Sequence, residues 1–137
     1  YQSRISGPVL DRIDLHHHVR GLTRSLLAGQ PPGEHSAVVA ARVMEARERQ
    51  TRRLAGTRWR TNGEVSGSWL RRRLALPDGL GPVDDAVRQG RLSSRGVDKV
   101  LRLSWTLADL AGADKPTASH VRTALALRRG EDLGAVA

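Results

Sequence analysis

The strongest amphipathic pattern in this 137-residue chain runs from Ser94 to Ala111, and it constrains the fold more than any other feature. Its apolar and small residues recur at the three-and-four spacing that places them on one face of a helix. They are Val97, Val100, Leu101, Ser104, Leu107, Ala108 and Ala111. Gly112 and Pro116 follow and are typical of a helix end. We therefore predict a central core helix with a buried stripe.

Further helices are predicted before and after this one. Ser36 is the expected N-cap of a helix that reaches Leu54 and carries Val39, Val43 and Ala46 on one face. Shorter helices are predicted over residues 69–76, over residues 80–89 with Gly90 as the stop, and after a cap at Thr117 or Ser119, with Val121, Ala124 and Leu125 inward. The connection over residues 56–67 is rich in Gly, Thr, Asn and Ser, contains Trp59 and is expected to fold over the core.

The first part of the chain follows a different pattern. Residues 13–19 alternate between apolar and polar side chains and predict a strand, and the run Gly29-Gln30-Pro31-Pro32-Gly33 is typical of a linker. The fold class expected is therefore mainly α, a small helical bundle preceded by a short strand and turn. We divide the chain into a tail over residues 1–33 and a helical domain over residues 34–137.

The composition favours partners that carry phosphate. Lys and Arg total 23 against 14 acidic residues, for a formal net charge of +9, and Lys99 and Lys115 are the two lysines among these cations. Such a balance suits a nucleotide or nucleic acid, although scattered cations also form ordinary solvated surfaces. The absence of cysteine excludes a disulfide framework and a thiolate metal site. We expect a cytoplasmic protein with no membrane partner, because no apolar run is long enough to span a bilayer.

Arg12 is the leading candidate for a functional residue. It lies between Asp11 and Asp14, just after the Gly7-Pro8 turn. A rigidly held guanidinium group is planar and permanently charged, so it can stabilise the negative charge that spreads in phosphoryl transfer. The alternative is a structural ion pair between Arg12 and one of its flanking aspartates.

A second basic group lies on the core helix. Arg95, Lys99 and Arg102 share one face of that helix, with Arg95 in its first turn. An anion placed there would meet both the free N–H groups of the helix terminus and the guanidinium group. The alternative is a solvated basic stripe, and for Lys99 and Arg102 we keep that interpretation.

The remaining motifs are weaker. The run His16-His17-His18 alternates in direction along a strand and has Asp14 as its only nearby acid, so we predict no metal site. His120 is expected at the surface or in a helix cap. Tyr1 and the three tryptophans are scattered, which argues against single-strand binding by base stacking. The runs Arg52-Arg53 and Arg71-Arg72-Arg73 are candidates for contact with DNA phosphates.

Two segments resemble one family. The run Ser6-Gly7-Pro8-Val9-Leu10-Asp11-Arg12-Ile13-Asp14-Leu15-His16 is similar to the segment that follows the sensor-1 strand in magnesium-chelatase-like, ComM-type (YifB-like) AAA+ ATPases, with Val9 the one change. The run Leu92-Ser93-Ser94-Arg95, together with Ala108-Asp109-Leu110-Ala111-Gly112, resembles the lid helix of that family. The pieces Ala46-Arg47-Glu48-Arg49-Gln50, Asn62, His120, Ala124 and Arg128 align in order. Trp105, Thr123 and Leu127 depart from the family pattern and put contacts outside the nucleotide site in doubt.

The resemblance implies an AAA+ lid and assigns roles to both arginines. Arg12 would be the arginine finger, acting in trans on ATP bound by a neighbouring subunit, and Arg95 would be the sensor-2 residue that touches the γ-phosphate in cis. ATP and Mg²⁺ would be held mainly by a core domain outside this chain, in a homo-oligomeric ring, expected to be a hexamer, that works on DNA. The chain carries no Gly-x-x-x-x-Gly-Lys-Ser/Thr loop, so we expect a C-terminal portion of a larger ATPase that does not hydrolyse ATP alone.

Two alternatives remain at this point. One is a subunit of magnesium chelatase itself, which inserts Mg²⁺ into a porphyrin. The other is a non-enzymatic DNA-binding module that uses the arginine-rich surface, for which binding would fall steeply as the salt concentration rises.

Overall fold

The computed structural model describes residues 7–17, 33–74 and 79–131. Within those ranges the chain forms six α-helices and a 3₁₀ turn, with no β-strand. The helices are α1 (Gly7–Leu10), α2 (Ser36–Leu54), α3 (Gly67–Arg73), α4 (Gly81–Arg88), α5 (Ser94–Ala111) and α6 (Ala118–Arg129), and the 3₁₀ turn is Asn62–Glu64. The mainly helical bundle predicted from the sequence is confirmed.

Helix α5 has the bounds that its sequence pattern predicts. The Ser93 side chain caps its first turn, accepting a hydrogen bond from the Gly96 N–H at 3.0 Å. Its last turn is closed by Gly112, which adopts φ +71°, a left-handed conformation that glycine reaches without a Cβ clash. Of the predicted stripe, Val100, Leu101, Ser104 and Ala108 are buried, whereas Ala111 is exposed.

Two apolar clusters flank α5, which therefore lies at the centre of the bundle. One joins it to α4 and α6 and contains Val83, Ala86, Leu92, Val100, Val121, Ala124 and Leu125. The other joins it to the end of α2 and to α3 and contains Leu54, Val65, Leu70, Leu101 and Trp105. Trp59 packs against the second cluster in edge-to-face contact with Trp69, with ring centroids 4.9 Å apart, so the irregular connection does fold over the core.

Helix α2 buries only the C-terminal part of its predicted apolar face. Val39, Val43 and Ala46 were predicted to share that face, but Val39 and Val43 are exposed. The buried residues of α2 are Ala46, Gln50 and Leu54, which lie in its C-terminal half. The three-and-four spacing was correct for a helix, but among the described residues only the second half of α2 has neighbours that cover it.

The buried side of α2 meets α5 through a polar network that consists of Gln50, Arg53, Asn62, Thr106 and Asp109. Arg53 donates to both carboxylate oxygens of Asp109, at 2.6 Å from Nη2 to Oδ2 and more closely from Nη1 to Oδ1. The Asn62 amide donates to Asp109 at 3.0 Å and to Thr106 at 3.1 Å, and the Asn62 backbone N–H donates to Gln50 at 2.9 Å. These bonds compensate for burying the Asp109 charge.

Trp105 is a core residue. It is 3% exposed, and the Arg53 guanidinium carbon lies 4.4 Å from the centroid of its ring. Trp105 therefore places an aromatic ring beneath the Arg53 cation of the neighbouring helix α2.

Two cations of α5 are not solvated, contrary to prediction. The Lys99 side chain is 8% exposed and lies 2.8 Å from Asp14. Arg102 donates from Nε to the Val65 carbonyl at 2.8 Å. Lys99 and Arg102 thus bind acceptors that lie far away in the sequence. A helical pattern cannot predict such partners.

Helix α4 is one residue shorter at each end than predicted, whereas α3 begins two residues early and ends at Arg73. Residues 75 and 76 of the predicted helix lie outside the described residues. His120 forms a capping box with Thr117 at the start of α6, where its Nδ1 accepts a hydrogen bond from the Thr117 N–H at 3.1 Å. The predicted cap at Thr117 and the predicted capping role of His120 are both confirmed. Gly90 follows α4 with φ +66°, as expected of a helix stop. The predicted N-cap of α2 was one residue late, since His35 occupies that position.

Two exposed carboxyl groups at the edge of the bundle, those of Glu34 and Glu64, have pKa values lowered by nearby hydrogen bonds. The hydrogen bond from Arg42 lowers the pKa of Glu34, its two N–O distances being 3.0 Å. The backbone N–H of Arg60 lowers the pKa of Glu64, to which it donates at 2.8 Å. Both acids therefore hold short turns without entering the core.

The strand predicted over residues 13–19 is wrong for residues 13–17, which have no regular secondary structure. The His16 N–H donates instead to the Leu127 carbonyl of α6 at 2.8 Å. A strand needs a neighbouring strand to pair with, and the described residues offer a helix end at this point. Residues 18 and 19 and most of the predicted linker, residues 29–32, lie outside the described residues.

Among the helices described, none combines the length and the apolar content needed to cross a bilayer. The same residues contain no group of three or more His, Asp or Glu side chains arranged to hold a metal ion. His18 of the histidine triplet lies outside the described residues.

Candidate functional site

Residues 7–17, here called the tail segment, lie against the C-terminal end of α6 and the N-terminal end of α5. Pro8 sits in the first turn of α1, where a residue without an N–H costs no hydrogen bond. The turn then closes through two backbone bonds, from the Asp11 N–H to the Gly7 carbonyl at 2.9 Å and from the Arg12 N–H to the Val9 carbonyl at 3.0 Å. The predicted Gly-Pro turn is thus a single helical turn that ends at the aspartate beside Arg12.

Asp11 is the point where the tail segment meets both helices. Its Oδ1 accepts from Arg128 of α6 at 2.9 Å and from the Ser93 hydroxyl at 3.2 Å. Its Oδ2 lies 4.0 Å from Nη1 of Arg95. Asp11, Ser93, Arg95 and Arg128 are called the Asp11 cluster below.

Arg128 holds the tail segment by more than this ion pair. It donates to the Asp11 carbonyl at 3.3 Å and to the Ile13 carbonyl at 2.9 Å, and its Nη1 lies 3.1 Å from Nε2 of His16. The Arg128 side chain is 9% exposed, so these bonds form largely away from water. A forked guanidinium group suits such a site because it presents several donors in fixed directions.

Asp14 forms a second attachment. Its carboxylate lies 2.8 Å from the Lys99 ammonium and is itself 78% exposed, whereas Lys99 is 8% exposed. Both aspartates that flank Arg12 in the sequence are therefore paired with cations of the helical bundle.

Arg12 itself is exposed. Within residues 7–17, 33–74 and 79–131, no ion pair involves its guanidinium group, and the alternative in which it pairs with Asp11 or Asp14 is not what is observed. Arg12 is therefore an exposed cation on a turn, and the two aspartates that flank it pair with Arg128 and Lys99 of the helical bundle.

Arg95 is placed as its position in the core helix predicts. It lies in the first turn of α5 and its side chain is 64% exposed. A cation at a helix N-terminus is disfavoured by the macrodipole, by about 0.3–1 kcal/mol when exposed. The nearby Asp11 carboxylate offsets this effect, and it is itself neutralised by the closer Arg128. The Arg95 guanidinium group is therefore an exposed cation at this helix end that shares the Asp11 carboxylate with Arg128.

The residues that the sequence did not single out are those that fix the tail. Arg128 and Asp11 appeared in the aligned motifs, but without an assigned role, and Lys99 was interpreted as solvated. The sequence offered little sign of the contact between Asp11 and Arg128, because these residues lie 117 positions apart. What the structure brings together is the turn that carries Arg12 and the helix end that carries Arg95, with Asp11 between them.

Comparison with known proteins shows which family this sequence resembles. Residues 33–128 match the family described as magnesium chelatase, subunit ChlI C-terminal. The Mycobacterium tuberculosis protein Rv2897c is 40% identical over 130 residues, 94% of this chain and 26% of that relative. Escherichia coli YifB is 33% identical over 131 residues, 93% of this chain and 25% of YifB. The competence protein ComM of Haemophilus influenzae is 34% identical over 130 residues, 93% of this chain and 25% of ComM.

The chain therefore belongs to the magnesium-chelatase-like family, and it is similar in sequence to YifB and ComM. It spans about a quarter of the length of the curated relatives it matches.

Proposed function

We propose that this chain is the lid and arginine-finger segment of an AAA+ ATPase that couples ATP hydrolysis to DNA remodelling, such as branch migration, in a homo-oligomeric ring, expected to be a hexamer. The observation that carries the proposal is the exposed Arg12, which forms no ion pair with the described residues, on a turn whose two flanking aspartates pair with cations of the helical bundle. A cation held in this way is free to approach a partner that brings negative charge.

In the proposed reaction Arg12 reaches in trans to ATP bound by the neighbouring subunit. As charge spreads over the oxygens of the transferring γ-phosphoryl group, the guanidinium group stabilises it without having to reorganise. ATP and Mg²⁺ would be held mainly by the core domain. Within the part of the chain that the structure describes, the cationic groups near α5 suit phosphate oxygens, and no cluster of acids suits the metal.

Arg95 is proposed as the sensor-2 residue, which contacts the γ-phosphate in cis. Its position supports this role because an anion near the first turn of α5 would meet free backbone N–H groups as well as the guanidinium group. Loss of the γ-phosphate would remove that contact and release the lid, and a rotation of the helical bundle would then transmit the nucleotide state.

The test is Arg12→Ala in the full-length protein. We expect ATP binding to stay near normal and kcat to fall by about 10³-fold, the range found for arginine fingers. Arg122→Ala, which removes an exposed arginine from the outer face of α6, is the matched control and should leave kcat unchanged. Turnover that survives Arg12→Ala unchanged would show that this residue is not the finger.

Work on DNA is supported by the name of the Haemophilus influenzae relative, a competence protein, and by exposed arginines. Arg52, Arg72 and Arg73 are exposed, whereas Arg53 is engaged with Asp109 and is not available for phosphate contact. If the exposed group binds the DNA backbone, replacing Arg72 and Arg73 together with Gln should weaken DNA binding and reduce its salt dependence. An unchanged salt slope would locate DNA contact elsewhere in the ring.

A further inference from the structure

We propose that Arg128 is a positioning residue for Arg12. It would fix the backbone on both sides of the finger against the lid, so that the finger moves with the lid as one body. This role rests on the proposed function of Arg12, and it names a residue of α6 that does not itself touch the nucleotide.

The first argument is the placement of the bonds. Arg128 donates to the carbonyl of Asp11 at 3.3 Å and to the carbonyl of Ile13 at 2.9 Å, the residues immediately before and after Arg12. Its Nη2 also binds the Asp11 carboxylate at 2.9 Å. One guanidinium group therefore restrains the backbone on either side of Arg12 while the Arg12 side chain stays exposed.

The second argument is burial. The Arg128 side chain is 9% exposed. Solvent screens buried ion pairs and hydrogen bonds less than exposed ones, so the bonds of Arg128 are stronger than the same bonds at the surface. The backbone bond from His16 to Leu127, at 2.8 Å, holds the tail segment to the preceding residue of α6. The tail is thus attached to the last turn of this helix at several points, which favours a rigid connection.

The third argument is that the Asp11 carboxylate, which pairs with Arg128, also lies close to Arg95, the proposed sensor. Asp11 accepts from Ser93, the N-cap of α5, and lies 4.0 Å from Arg95. With Arg128 present, the Asp11 charge is neutralised from the α6 side. Without it, the carboxylate would be left to pair with Arg95 and would draw the tail toward α5, away from the position that presents Arg12.

The experiment is steady-state ATP hydrolysis by the full-length protein carrying Arg128→Gln. Misplacing a catalytic group by about 1 Å can lower a rate by as much as 10²-fold, so we expect kcat to fall at least about tenfold, with KM for ATP changed by less than about twofold. The matched control is Arg129→Gln, which removes the adjacent charge from the same helix end, where Arg129 pairs locally with Glu131 at 2.8 Å. It should leave kcat unchanged.

A conservative variant separates positioning from folding. Arg128→Lys keeps the positive charge at the end of α6, but a single ammonium group is not expected to reproduce the fork that spans the Asp11 and Ile13 carbonyls. We expect this variant to melt close to the wild-type temperature and still to show a reduced kcat. Full activity in Arg128→Lys together with reduced stability in Arg128→Gln would indicate a structural role only and would overturn the proposal.

The decisive comparison uses the Arg12→Ala background. If Arg128 acts through Arg12, adding Arg128→Gln to Arg12→Ala causes no further loss of kcat. An equal fractional loss in both backgrounds overturns the positioning role but leaves the finger intact. If Arg12→Ala alone has no effect on turnover, the proposed finger function itself fails, and the positioning role fails with it.

Discussion

At the scale of single residues, the charged groups of this chain divide between those that hold the fold and those that face outward. Arg53 and Asp109 belong to the first kind, with side chains 14% and 3% exposed. Arg12 and Arg95 belong to the second kind. A buried ion pair adds little over an apolar pair of equal volume, but removing one partner strands the other charge. The network around Asp109 is therefore a sensitive point of the fold.

Asp109→Asn should destabilise the 137-residue chain strongly. The substitution keeps the shape of the side chain but leaves the Arg53 cation buried without its carboxylate, which costs about 3–5 kcal/mol. Urea denaturation followed by tryptophan fluorescence measures the change, since Trp105 packs against Arg53. Glu48→Gln, at an exposed site on α2, is the control and should shift the midpoint little. Equal midpoints for Asp109→Asn and wild type would show that the network does not stabilise the fold.

At the scale of elements, the sequence predicted what is local and missed what depends on distant partners. Helix α5 was predicted in full because its period lies within its own residues and its glycine stop follows directly. The predicted apolar face of α2 is exposed at Val39 and Val43, because a helical period does not say which turns contact a neighbouring element. Residues 13–19 were predicted as a strand from alternation, but residues 13–17 form none, because a strand needs another strand to pair with.

The residues of the candidate site likewise divide into those that local sequence predicted and those that depend on tertiary contacts. Arg12 and Arg95 were found from local pattern and family resemblance, whereas the roles of Asp11, Lys99 and Arg128 were not. Lys99 shows the reason: on the helical pattern it belongs to a basic stripe, yet it is almost fully buried against Asp14, 85 positions earlier in the chain. Burial of a cation depends on tertiary contact, which helical periodicity does not encode.

Gly112→Ala tests the end of α5. The residue has φ +71°, and a Cβ there would meet the Arg49 guanidinium at an ordinary contact distance of 3.5 Å, so the cost comes from the backbone. A left-handed alanine is disfavoured by about 1–2 kcal/mol. The matched control is Gly63→Ala, whose added methyl would meet the Thr61 hydroxyl at an ordinary contact distance of 3.8 Å and whose φ is not in the left-handed range. We expect the control to be neutral or to gain about 0.4–1 kcal/mol. Thermal unfolding measures both, and equal shifts would contradict this account of the helix end.

At the scale of the whole molecule, the tail segment and the helical bundle form one contact surface through Asp11, Asp14 and His16. This contact places the proposed finger beside the helix end that carries the proposed sensor. An anion bound at Arg95, as proposed, would therefore be linked to the turn that presents Arg12 through the Asp11 carboxylate rather than through the apolar core.

The attachment of the tail can be measured directly by hydrogen exchange. The His16 amide, bonded to the Leu127 carbonyl at 2.8 Å, should be protected in the 137-residue chain and should lose protection in Arg128→Gln, because the tail then detaches locally. The amide of Ser104, deep in α5, should keep its protection in both proteins. If both amides lose protection together, the variant unfolds as a whole, and the local contact does not have the role assigned to it.

The most direct test of the central claim mixes two inactive versions of the full-length protein, Arg12→Ala and Arg95→Ala, and measures ATP hydrolysis. If Arg12 acts in trans and Arg95 in cis, a site on an Arg12→Ala subunit that faces an Arg95→Ala neighbour has both groups, and about one site in four of a randomly mixed ring regains activity. We predict that turnover recovers on mixing, to well above that of either variant alone. No recovery would mean that both arginines serve the same subunit's nucleotide, or that neither serves it, and would contradict the account.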